Sequence, residues 1–127
     1  MRVMSVKRVD GASGFGPLEA EVMDAVWAAG APVSVREVMR RLNERRAAPL
    51  AYTTVMTVMS RLAEKGALAR RQAGRGYVYE ATAADRAGIA VQSVIRTYGD
   101  EAMAHFVDQA RGDPELLRRM EQLLRER

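Results

Sequence analysis

The chain has 127 residues, 48% hydrophobic and 28% charged, with a formal net charge of +4; this is the length of one domain or one and a half, with enough apolar content for a core. There is no cysteine, and His105 is the single histidine, which excludes disulfides, thiolate nucleophiles and zinc–thiolate sites and leaves no histidine cluster for a metal. No apolar run approaches the roughly 18 residues of a membrane span, so the expectation is a soluble, cytoplasmic protein with no metal or cofactor, and not an enzyme.

Residues 1–14 carry Lys7, Arg8 and two glycines without periodicity or an apolar block. They read as a flexible arm rather than a secretory leader. Gly16-Pro17 opens a first helix, with proline tolerated in the first turn. Leu18, Val22, Ala25 and Ala29 form its stripe, with Val26 at the edge, and Gly30 ends it. Trp27 lies off that stripe, which predicts a second buried face.

Ala31-Pro32-Val33 is a short extended link, able to add a strand to a sheet. Ser34-Val35-Arg36-Glu37 is a capping box: the serine oxygen accepts the N3 amide and Glu37 reaches back. Val35, Val38, Met39 and Leu42 line the inner face of this second helix, and Arg36, Arg40, Arg41, Arg45 and Arg46 occupy the remainder. After Pro49, a third helix runs from Tyr52 to Lys65 and is closed by Gly66. Val55, Val58, Met59 and Leu62 converge within about 100° of arc. Opposite them lie Thr53, Thr57 and Ser60, flanked by Thr54 and Arg61.

Leu68–Gln72 and Tyr77–Ala81 read as two strands around a glycine-containing turn, a β-hairpin. Three helices followed by a hairpin is the winged-helix order. From Ala83 onward the pattern is helical, with apolar faces on three segments separated at Gly99 and Gly112. Asp113-Pro114 caps the last of them. So few residues rarely sustain a core alone, which predicts pairing with an identical copy through Val91, Ile95, Phe106, Leu116, Met120 and Leu123. The expected class is therefore mainly α: a winged helix-turn-helix domain with a small antiparallel sheet over 15–82, then a helical dimerisation domain over 83–127.

The charge is uneven. Met1–Thr82 has 13 basic residues against 8 acidic, and Ala83–Arg127 has 7 against 8. Within Ser34–Tyr79 the ratio is 10 to 3. A basic block beside a neutral one marks an anion-binding module. A major groove admits a helix whose N-terminal half does the reading. Thr53, Thr54 and Thr57 stand there, with Arg61 two turns along. Arg71 and Arg75 of the hairpin, and Arg40 of the second helix, are placed for the phosphate backbone. A plainly solvated threonine face competes with this reading, although threonine is mildly unfavourable in a helix. A second function open to the same fold is a winged-helix protein–protein module without direct DNA reading, which would call for an apolar or acidic outer face on the third helix.

The stretch Leu50–Gly66, with its Thr-Thr-Val-x-Thr-x-x-x-Arg-Leu run, closely resembles the recognition-helix segment of the penicillinase-repressor family. Leu18–Trp27 and Val33–Val38 resemble the family's first two helices, and Arg75-Gly76-Tyr77-Val78-Tyr79 its wing. The resemblance spans roughly Phe15 to Arg127 and is strongest up to Glu80. It implies a cytosolic repressor linked to antibiotic resistance or stress, a homodimer binding inverted-repeat operators in double-stranded DNA. Base contacts would map onto Thr53, Thr54 and Thr57, with Arg61 and the wing arginines on the backbone. It also implies release through cleavage by a membrane sensor protease, here at His105–Phe106. Three departures stand out: His105 where some members have Asn, Ala51 where some have a capping Ser, and no cysteine motif for copper.

Overall fold

The computed structural model describes residues 14–127. The arm expected over 1–14 lies, apart from Gly14, outside the described residues. In chain order the elements are α1 (Pro17–Ala29), α2 (Val35–Asn43), α3 (Tyr52–Glu64), β1 (Leu68–Ala73), β2 (Gly76–Ala81), α4 (Arg86–Tyr98), α5 (Asp100–Arg111) and α6 (Pro114–Glu126). They fall into two compact units, one ending at Ala90 and the other starting at Val91.

In the first unit, local chemistry sets the helix ends. Glu19 accepts the Gly16 N–H at 2.9 Å, and Gly30, at φ 68°, stops α1. The Ser34 box forms as its spacing predicts: Glu37 N–H donates to Ser34 Oγ at 3.1 Å, and Ser34 N–H donates to Glu37 Oε1 at 2.9 Å. Such a cap contributes about 1 kcal/mol. Ala51 caps α3 without a side-chain bond, so its carbonyl alone accepts the Thr54 and Val55 amides.

The core gathers one face from each helix and closes on the sheet. Val22, Met23, Val38, Val55, Met59 and Leu62 are wholly buried, each worth about 1.5–3 kcal/mol of apolar transfer. Burial on α1 is wider than its predicted stripe. It takes in Met23 as well as Val22 and Val26, because α1 packs against α2, α3 and β2 together. The off-stripe Trp27 does bury a second face, its indole N–H donating to the Ala83 carbonyl at 2.9 Å.

β1 and β2 pair antiparallel from Leu68↔Ala81 to Ala73↔Gly76, leaving Gly74-Arg75 as the turn. Gly74 has φ 62° and no non-glycine residue has positive φ, the type II′ pattern that suits strand twist. Val33 joins the other edge of β2 through two bonds with Tyr79, at 2.9 and 2.8 Å. Three helices, this hairpin and the single Val33 bridge make a winged helix.

The first unit runs past Thr82 to Ala90. Contacts at separations sequence patterning does not reveal hold this extension: Ala83 meets Trp27, Arg86 pairs with Asp24 at 3.2 Å, and Ile89 is buried. Gly88 is needed there for close approach, since a Cβ would stand 2.8 Å from that of Ala83.

In the second unit, Gly99 alone separates α4 from α5, at φ 58° and ψ −128°, a conformation L-residues rarely adopt. Asp113 caps α6 by accepting the Glu115 and Leu116 amides, with Pro114 in the first turn as expected. α5 packs on α6 and buries Ala102 and Ala110, with Phe106 half-buried. Eleven large apolar side chains between Val91 and Leu124 stay exposed, so this unit has almost no core of its own.

Candidate nucleic-acid interface

The anchoring of α3 defines the site. Val55, Val58, Met59 and Leu62 fix its inner face, so its outer face is presented rigidly. Thr53, Thr54, Thr57 and Arg61 are all exposed there, and Ser60 is half-buried. Among the described residues, none of the three threonine hydroxyls is taken by a hydrogen bond within the chain. The first turn of α3 therefore offers donors and acceptors to an outside partner.

Three contacts hold this helix in place. Asn43, the last residue of α2, clamps Leu50 across the turn: its Nδ2 donates to the Leu50 carbonyl at 3.2 Å and its Oδ1 accepts the Leu50 N–H at 2.8 Å. At the far end, Lys65 Nζ donates to Glu19 at 2.8 Å and to the Gly14 carbonyl at 2.7 Å. Burial raises the Glu19 carboxyl, but hydrogen bonds from Lys65 and Gly16, and the charges of Lys65 and Arg61, outweigh it and hold the group below its ordinary value. Thr82 ties the base of the hairpin to α3, its hydroxyl donating to the Gly66 carbonyl at 2.7 Å.

The arginines around α3 differ in their engagement. Arg46 donates to both oxygens of Glu21, at 2.9 and 3.0 Å, and so belongs to the α1–α2 packing. Arg70 lies 4.5 Å from the centre of the Tyr77 ring and Arg36 5.6 Å from that of Tyr52, both within cation–π range. Arg40, Arg61, Arg71 and Arg75 are exposed, and none has an ion-pair partner among the described residues. Glu37 stays ionised below its usual range because the Ser34 amide and hydroxyl bond it, with Arg40 and Arg41 adding their charge.

The structure thus places Thr53, Thr54, Thr57 and Arg61 on one exposed surface of α3, with Arg71 and Arg75 on the hairpin and Arg40 on α2. Sequence reasoning missed Tyr52 and Met56, which remain 41% and 40% exposed beside the threonines. It also missed Arg36, which steadies Tyr52. The available signal was positional: Tyr52 and Met56 are one turn apart and fall outside the core arc. Val91, Ile95, Leu116, Met120 and Leu123 are exposed, whereas Phe106 is half-buried and His105 beside it is exposed. Among the described residues no group of acidic or histidine side chains could hold a metal, and no helix is long and apolar enough to cross a membrane.

A rigid helix with a hydroxylated, apolar-edged outer face, inside a segment carrying ten basic and three acidic residues, has the chemistry to meet a polyanion with hydrogen-bonding edges. Comparison with known proteins agrees. The profile of the penicillinase repressor family matches residues 15–126. The transcriptional regulator BlaI from two strains of Mycobacterium tuberculosis is 37% identical over 106 residues, covering 78% of this chain and 75% of the relative.

Proposed function

The chain belongs to the penicillinase repressor family, and on that premise we propose that it is a homodimeric, sequence-specific DNA-binding repressor of transcription that occupies inverted-repeat operators. The observation carrying this reading is the row of uncommitted hydroxyls at Thr53, Thr54 and Thr57, backed by four buried anchors on the same helix. In this reading the threonines touch base edges and thymine methyls. Arg61, Arg71, Arg75 and Arg40 neutralise phosphates, and binding strengthens as counterions are released.

The exposed apolar side chains of the second unit support dimerisation, because their burial against an identical copy removes them from water. Two identical α3 helices related by a two-fold meet half-sites about one helical turn apart or a multiple, roughly 34–36 Å per turn. Residues 15–82 act as the DNA-binding domain and 83–127 as the dimerisation domain. Release follows cutting of the His105–Phe106 bond by a membrane sensor protease. That bond lies inside α5, so cutting requires the helix to open locally.

The protein–protein alternative called for an apolar or acidic outer face on α3, and the face is hydroxylated and bordered by arginine. Selection of duplexes from a random pool, followed by fluorescence anisotropy across a salt series, tests the proposal. The expected result is an enriched palindromic sequence whose affinity falls steeply with salt. Binding that ignores both sequence and salt would contradict it.

A further inference from the structure

The wing tip differs from the rest of the interface. Residues 73–76 read Ala-Gly-Arg-Gly, so Arg75 is the one side chain larger than a methyl at the end of the hairpin. A Cβ built at Gly74 or Gly76 would meet nothing within 4 Å, so the tip stands clear of its own domain. Of the three wing arginines, Arg70 lies over Tyr77. Arg71 sits opposite Val78 on the other face of the hairpin, away from the tip. Only Arg75 projects from a slim, bare turn.

We infer that Arg75 enters the minor groove flanking each half-site and selects narrow, A·T-rich flanks by groove width, while Arg71 remains a phosphate contact. This rests on the DNA-reading function proposed above. Reach agrees with it: a six-residue strand spans about 20 Å, and the flanking minor groove lies half a turn, about 17 Å, from the major-groove centre. Size agrees as well. The minor groove is about 6 Å wide, which a turn bearing bulky side chains could not approach closely, and the glycines remove that bulk.

The chemistry also favours arginine at this position. A narrow A·T minor groove has an enhanced negative potential that draws in cationic side chains, and guanidinium is more weakly hydrated than ammonium, so it sheds water more readily on entry. A G·C pair adds the guanine amino group, which stands in the path of the side chain. The result would be sequence preference at positions that α3 never touches.

The test uses the full chain and the duplex enriched from the random pool, with base analogues placed only in the flanks. 2,6-Diaminopurine in place of adenine adds a minor-groove amino group and leaves the major groove as in A·T. Inosine·cytosine changes the major groove and keeps the minor groove free of that group. Wild-type affinity should fall about fivefold or more with diaminopurine flanks and hold with inosine flanks. Arg75→Ala should bind both flanks equally, Arg75→Lys should lose most of the discrimination, and Arg71→Ala should weaken all duplexes alike while keeping it. Equal wild-type affinity for all flanks, or unchanged discrimination in Arg75→Ala, would overturn this inference and leave the repressor reading standing. Failure of any sequence to enrich would remove both.

Discussion

Replacing Asn43 with alanine should loosen the turn that carries α3. Asn43 makes two hydrogen bonds to the Leu50 backbone, at 3.2 and 2.8 Å, in a half-buried setting. Each is worth about 0.5–1.5 kcal/mol net, so losing both should cost about 1–3 kcal/mol. With a urea dependence of about 2 kcal/mol/M for a small domain, the unfolding midpoint should fall by about 1 M. Trp27 is the single tryptophan and lies in the first unit, so its fluorescence follows the affected unit directly. Gln122→Ala, which removes an exposed bond to Glu126 on α6, serves as control and should leave the Trp27 midpoint in place. Specific DNA affinity should weaken in Asn43→Ala, because the start of α3 is no longer held in register. A Trp27 midpoint equal to wild type would refute the role given to this clamp.

Gly99→Ala forces a side chain into φ 58°, ψ −128° and should destabilise the second unit by about 1–3 kcal/mol, visible as earlier loss of helical circular dichroism on heating; an unchanged melt would contradict it. Met120→Asp places a charge on the exposed apolar face of α6 and should weaken self-association by about 2 kcal/mol, roughly thirtyfold, as read by sedimentation; an unchanged dimer would count against that interface. The Glu19 carboxyl is held below its ordinary value of 4.5, so its contribution is present above that pH and is lost as pH falls through the folded value. The stability gap between wild type and Glu19→Gln should therefore be constant near neutrality and close in acid, and a gap that widened in acid would reverse the assignment.

The features legible in the sequence are those written in local spacing. The Ser34 and Asp113 caps, the stops at Gly30 and Gly66, the buried arc of α3 and the hairpin at Gly74 each depend on residues a few positions apart. The features that escaped it are contacts between distant segments. Met23 is buried because α1 is enclosed on several sides, which a single stripe does not express. Glu19, Glu21 and Asp24 read as partners of a helix dipole. Instead each holds a basic residue from a later segment, Lys65, Arg46 and Arg86 respectively. The first unit continues to Ala90 because Trp27 finds its hydrogen-bond acceptor 56 residues away, at Ala83. At the candidate site, the threonine face followed from helical period alone. The stacking of Arg36 on Tyr52 needed the mutual placement of α2 and α3.

The most direct measurement compares Thr54→Ala with wild type on the selected duplex and on a scrambled duplex of equal length at one salt concentration. The account predicts that specific affinity falls by about 1 kcal/mol or more, roughly fivefold, while affinity for the scrambled duplex barely changes. Equal loss on both duplexes, or no loss on either, would mean that the hydroxyl row on α3 does not read DNA.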